Sequence, residues 1–333
     1  MEGKLFSNDL SVSAGEFRPS LVGGVSFLPH PQTLKKTPQM NTFPRISTVG
    51  ALTAASVLFF NPAAKADIVA NFTGGDGVES VDQYQGIPGD GWTTAWQTNT
   101  AASSAGTSLV GFVDESAPMN GGGKYLSSFL TGGSGVSKGV QQRQYGSFDN
   151  VDILAAHTVS FDLRLDSDTS KLTAGTDYFQ AFDRPFTSDF GANGAWLIRA
   201  SGASVNGIPA LNWMFYNGGK DGGAFNTANF VDSGISFISG LVYHFVIDID
   251  PLNLEYTVSI NGGPESAPMG FRTNTPTNLG SLNFGGQVSD AGEVLAYSLD
   301  TVDVAPVAVP EPSTVALVIS AGLAGVGVMR RKR

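Results

Sequence analysis

Residues 241–263 read "LVYHFVIDIDPLNLEYTVSINGG", and their apolar side chains recur at every second position. Tyr243, Phe245, Ile247 and Ile249 form one such run, and Leu254, Tyr256, Val258 and Ile260 form the next. Successive side chains of a β-strand leave opposite faces, so this period buries one face of each run. An amphipathic helix would need apolar residues three and four apart instead. Four residues containing Pro251 and Asn253 separate the runs, and Asn261-Gly262 follows the second. Both are turn signals, and the spacing predicts a β-hairpin.

The same period appears elsewhere. In "HTVSFDLRLDSD" (157–168), Val159, Phe161, Leu163 and Leu165 share one face, while Ser160, Asp162, Arg164 and Asp166 take the other. Further strand-like runs are "AWLIRA" at 195–200, "ALNWMFYNGG" at 210–219, "SLNFGG" at 281–286 and "EVLAYSLDTVDVAPV" at 293–307. No stretch between 67 and 304 has a convincing helical period. Of 333 residues, 42 are glycine and only 14% are charged, a balance that suits turn-rich β structure rather than a helical bundle. The expectation is an all-β fold, a two-sheet antiparallel sandwich formed by one domain over 67–304. There is no cysteine, which excludes disulfides, thiolate metal sites and Cys nucleophiles.

The hairpin at 241–263 resembles the central part of concanavalin A-like and laminin-G-like jelly rolls. There a strand carrying Tyr-His leads through a hairpin into a Tyr-x-Val-x-Ile-Asn-Gly pattern, here Tyr256 to Gly262. The final run, "YSLDTVDVAPV", is similar to the last strand of exported β-sandwiches. The resemblance implies a jelly-roll topology and a repertoire of sugar binders, hydrolases and spacers.

Both ends of the chain read as addresses. Within 40–66, Arg45 precedes an apolar run from 49 to 60, and Ala64-Lys65-Ala66 supplies an A-x-A cleavage pattern. That order is a secretory signal peptide, cut after Ala66 and passed through the secretion translocon. Residues 1–39 either precede the true start at Met40 or form a long n-region; neither reading makes them part of the fold. Residues 315–329 are apolar or small and are followed by Arg330-Arg331-Lys332-Arg333. Fifteen residues are marginal for a membrane span, and the glycines at 322, 325 and 327 lower helix propensity. A short hydrophobic helix that engages the membrane transiently, with its basic tail on the cytoplasmic side, is the expectation.

Immediately before that segment stand Pro310, Glu311 and Pro312. A Pro-Glu-Pro motif, one short hydrophobic helix and a basic tail together resemble the PEP-CTERM sorting signal, here at 305–333. The resemblance implies processing by an exosortase and delivery to the envelope, surface or extracellular matrix of a Gram-negative-type bacterium, often one that makes exopolysaccharide and biofilm. The two prolines give the motif a physical role, since they keep it extended and open to a protease.

Between 67 and 309 the chain has 25 Asp and Glu against nine Lys and Arg. A body this acidic repels phosphate backbones, which excludes nucleic acid as a partner. It also raises the expectation of one structural Ca²⁺, which takes oxygen ligands from carboxylates and loop carbonyls. Asp76 in "GGDG" and Asp300 in "YSLDTV" are candidates because they lie on the first and last segments of the body, with Asp90 in "PGDGW" as a third. The competing reading is plain turn aspartates beside glycine.

Catalytic signatures are sparse. Retaining glycosidases use two carboxylates about 5–5.5 Å apart, and no E-x-D-x-x-E pattern is present. His157 and His244 are too few for a zinc site, and no G-x-S-x-G elbow or phosphate loop occurs. Trp92, Trp96, Trp196 and Trp213 are the material for a sugar platform. Trp213, Tyr216, Asn217 and Asp221 lie in or beside a Gly-rich loop and are the candidate ligand residues. Trp213 shares parity with Leu211 and Phe215, which favours the core. The expectation is a non-enzymatic, exported surface or matrix protein that interacts with exopolysaccharide. A ligand-free structural protein and a glycan hydrolase are the alternatives.

Overall fold

The computed structural model describes residues 67–70, 72, 79–80, 91–101, 105–119, 123–169, 172, 176–187 and 194–307. All of them fall in one compact unit, Phe60–Arg333. The proposed cleavage residues Ala64 and Ala66, the motif Pro310-Glu311-Pro312 and the apolar segment 315–329 lie outside the described residues. So do Asp76 and Asp90. Among the described residues no helix is long and apolar enough to cross a membrane.

Sixteen strands follow one another: β1 (Ile68–Ala70), β2 (Glu79–Ser80), β3 (Gln97–Ala101), β4 (Ser108–Asp114), β5 (Tyr125–Thr131), β6 (Ser137–Gln144), β7 (His157–Leu165) and β8 (Tyr178–Asp183). Then come β9 (Leu197–Ser201), β10 (Asn212–Tyr216), β11 (Phe230–Ser236), β12 (Val242–Asp250), β13 (Glu255–Ile260), β14 (Met269–Gly270), β15 (Ser281–Val288) and β16 (Val294–Pro306). They form two antiparallel sheets packed as a sandwich. One has the order β14-β13-β12-β7-β16-β5-β4-β2 with β1 added against β16, and the other β11-β10-β9-β8-β15-β6-β3.

The hairpin at 241–263 forms as its pattern predicts, with Asp250 opposite Glu255 and Phe245 opposite Ile260. The Asp250 carboxylate accepts the Leu252 and Asn253 amides, each at 3.1 Å, and so holds the four-residue turn. Asn261 and Gly262 both have positive φ, 54° and 67°, and the Gly263 amide donates to the Ile260 carbonyl. This is a two-residue turn that only such residues enter without strain. In β16, Thr301 adopts φ 48°, and the register with β7 shifts between Asp300 and Asp303. The extra residue makes a bulge that re-aims the strand, so its first half pairs with β5 and its second with β1.

Between the sheets lies an aromatic core. Phe161 stacks on Phe245 at 5.1 Å and meets Phe284 of the other sheet edge-on at 5.0 Å. Three tyrosines of the larger sheet reach across it and donate to carbonyls on the other side. Tyr297 bonds the Phe284 carbonyl at 2.7 Å, Tyr256 that of Tyr216 at 2.6 Å and Tyr243 that of Ser236 at 2.6 Å. Each such bond lets a buried hydroxyl enter an apolar core with its polar end satisfied.

Candidate functional site

Alternation along the smaller sheet leaves a second face, turned away from the core. Phe179, Ala181, Ile198, Ala200, Trp213 and Phe215 point inward. Their neighbours Tyr178, Gln180, Phe182, Leu197, Arg199 and Tyr216 therefore take the outer face. Strand pairing sets these side chains in rows across the sheet. Met214 faces Arg199, Arg199 faces Gln180 and Gln180 faces Gly285. In the next row Tyr178 faces Gln287, which faces Lys138. Gly285 is required where it stands: at φ 159° a Cβ would collide with the Gly139 carbonyl of the adjoining strand.

On this face opens a cavity of about 350 Å³, walled by these rows together with Trp196, Phe225 and Arg272 from loops. Arg199 occupies it under unusual conditions. Its guanidinium lies 4.0 Å from the ring centroid of Tyr178, 5.0 Å from that of Phe225 and 5.2 Å from that of Phe230. Among the described residues its one side-chain hydrogen bond donates from Nη2 to Oε1 of Gln180 at 2.8 Å, and its buried Nε has no partner. Burial lowers its pKa, opposed by the Tyr178 and Tyr216 hydroxyls. Burial likewise raises that of Tyr178.

Phe225 is 38% exposed and stacks on Tyr216, with centroids 5.1 Å apart and planes 13° from parallel. The Tyr216 hydroxyl accepts the Asn226 amide at 3.0 Å and Asn229 Nδ2 at 3.4 Å, tying the loop after β10 over the sheet. Arg272 lies 5.6 Å from the Phe225 centroid, and its Nε is buried without a partner. Among the described residues no Asp or Glu lines the cavity, whereas three of the body's nine Lys and Arg residues do.

The candidate ligand residues separate on this geometry. Tyr216 lines the cavity. Trp213 does not: it is 0% exposed, with its ring 4.4 Å from that of Phe237 and 5.0 Å from that of Phe245. Its placement as a ligand platform is corrected by its strand parity, which turns the indole into the core. The Asn217 side chain is occupied in accepting the Gly270 amide at 2.8 Å, and Asp221 accepts the Gly223 amide at 2.8 Å. Neither lines the cavity. Trp92 and Trp96 are also core residues, and Trp196 forms wall rather than platform. The residues that do line the cavity, Arg199, Tyr178, Gln180, Phe225 and Arg272, were not singled out by motif. Their one sequence signal is a cation or amide placed at the outward parity of an apolar strand in an acidic body.

Carboxylates gather instead on the outer face of the larger sheet. Asp162 and Asp300 are register partners on β7 and β16, and His244 Nδ1 lies 2.7 Å from Asp162 Oδ1. Burial and the Asp162 charge raise the pKa of Asp300. The Asp300 carboxylate accepts the Thr301 amide at 2.7 Å, which stabilises the bulge. Among the described residues no group of three or more His, Asp or Glu is placed to hold a metal ion.

Comparison with known proteins gives three kinds of result. No curated protein matches the chain. Solved structures similar to it include a GH131 β-glucanase catalytic domain from Podospora anserina, 12% identical over 73% of this chain and 97% of that one, with a TM-score of 0.44. A sialidase is 11% identical over 73% of this chain and 19% of its own length, with a TM-score of 0.44. The K1 adhesin domain of Lys-gingipain from Porphyromonas gingivalis W83 is 10% identical over 73% and 99%, with a TM-score of 0.34. Residues 308–333 match the PEP-CTERM protein-sorting motif, which implies export to the cell surface or beyond and processing by an exosortase. The chain is a two-sheet antiparallel β-sandwich that ends in a PEP-CTERM protein-sorting motif.

Proposed function

We propose that this protein is a non-enzymatic glycan-binding module, exported by a Gram-negative-type bacterium and presented to its own exopolysaccharide at the surface or in the matrix. The supporting observation is the cavity on the outer face of the smaller sheet. It places aromatic faces (Tyr178, Phe225) beside amide groups (Gln180, Gln287), the combination with which proteins hold a sugar ring. A hydrolase of the two-carboxylate type would need an acid and a nucleophile or base in that space. The described lining residues include neither, and the Asp162–Asp300 pair belongs to the opposite sheet.

The test is equilibrium binding of the purified full chain to the host's exopolysaccharide, with and without EDTA, and with product analysis for cleavage. Saturable binding without new reducing ends supports the module, and loss of that binding in EDTA would add a calcium ion to it. Cleavage of the polymer overturns the non-enzymatic reading. Absence of binding in both conditions leaves a structural surface protein.

A further inference from the structure

We infer that the cavity selects a sugar bearing an anionic substituent, a carboxylate or a sulfate, recognised by Arg199, Arg272 and Lys138. This rests on the glycan-binding reading and narrows it. The argument begins from charge. Between 67 and 309 acidic residues outnumber basic ones 25 to nine, yet the described residues that line the cavity include three cations and no acid.

Nor are those cations engaged as structural cations usually are. Lys138 and Arg272 have no side-chain hydrogen bond or ion pair among the described residues. Arg199 has one bond, to the neutral amide of Gln180. A guanidinium enclosed by three aromatic rings with no counter-charge is costly, because its lost hydration is repaid only in part by the rings. Burial lowers the Arg199 pKa, which is the same cost expressed as proton affinity. An oxyanion from outside would supply what is missing. A guanidinium presents a planar fork of donors that matches a carboxylate or sulfate edge, and the aromatic faces hold the apolar side of the ring that carries it. Phe225 links the two arginines, with its centroid within 6 Å of both guanidinium carbons. A ligand stacked on that ring brings its substituent to both.

The body's net negative charge opposes a long polyanion at a distance, so short oligosaccharides are the proper probes. The experiment is calorimetric titration of the full chain with a uronate tetrasaccharide, its carboxyl-reduced neutral counterpart, and a sulfated tetrasaccharide of equal length. The expected result is binding of one acidic probe at least about tenfold tighter than the neutral one. Arg272→Gln and Lys138→Gln should each erase most of that preference, by weakening the acidic probe far more than the neutral one. Neither side chain makes a hydrogen bond or ion pair among the described residues, and a urea melt of each variant checks that the fold is kept. The two acidic probes tell carboxylate from sulfate. Equal affinity for acidic and neutral probes, unchanged in Arg272→Gln, overturns the charge selection while the glycan-binding reading stands. No binding of any probe overturns that reading, and this inference with it.

Discussion

Arg199 and Tyr178 sit on neighbouring strands, with the guanidinium 4.0 Å from the phenol centroid, and both line the cavity. The arrangement holds the cation against a ring and the Gln180 amide rather than a carboxylate among the described residues. Phe225 completes the enclosure from a loop and is 38% exposed, so on the proposed reading it serves a ligand more than the core. Phe225→Ala should therefore weaken glycan affinity about five- to tenfold, in line with the loss of one aromatic contact worth roughly 1 kcal/mol. The denaturation midpoint should move little. Titration and a urea melt on the same preparation check both, and an unchanged affinity would remove Phe225 from the site.

Tyr216 holds that loop in place by its hydroxyl rather than by its ring alone. The oxygen accepts from the Asn226 amide and from the Asn229 side chain. Tyr216→Phe keeps the stack on Phe225 and deletes both bonds. The expected outcome is faster amide hydrogen exchange at Asn226 and its neighbours, with protection in the strands β8 and β9 unaltered. Ligand affinity should fall by the cost of ordering the loop, roughly 1 kcal/mol or less.

The bonds that span the core are a separate matter. The Tyr297 hydroxyl is wholly buried and donates to the Phe284 carbonyl. Burial raises its pKa above the ordinary phenol value, so it stays a donor throughout the accessible pH range. Tyr297→Phe should cost about 1 kcal/mol, the net worth of one hydrogen bond, and Tyr256→Phe about the same. Urea titration should record lower midpoints with unchanged slopes. The double variant should be near additive if the two sites are independent, since they cross the core at β15 and β10 respectively.

How much of this was legible beforehand depends on range along the chain. The hairpin, the inward parity of Trp213 and the outward parity of His244 follow from a period of two, which any strand imposes on its own residues. The cavity does not follow from it. Lys138, Gln287, Gln180 and Arg199 become neighbours only because β15 (Ser281–Val288), far along the chain, inserts between β6 (Ser137–Gln144) and β8 (Tyr178–Asp183). No local pattern encodes that insertion. Trp213 drew attention because it adjoins a glycine-rich loop, but parity outweighs proximity: its backbone neighbours turn it to the core. Arg199 was the readable clue, a cation at the outward position of "AWLIRA", and its meaning required the strand order.

Acid titration offers a last check on the larger sheet. Burial, with the nearby Asp67 charge, pushes the Asp303 carboxyl up from 3.8 to about 6, and its Oδ1 is buried without a hydrogen-bond partner. The folded state therefore binds the proton more tightly than the unfolded chain does. Its stabilising contribution is full below the unfolded value of about 3.8 and is lost as pH rises through about 6. Asp303→Asn removes that titration and supplies a neutral group in its place. The variant should match the parent near pH 4 and exceed it near pH 7.5, with the difference opening between those limits. Urea midpoints measured across that range decide the matter. Other carboxyls titrate in both proteins and cancel in the difference. A parallel displacement at every pH would mean that the substitution acts through packing, and that Asp303 takes up its proton alike in the folded and unfolded chains.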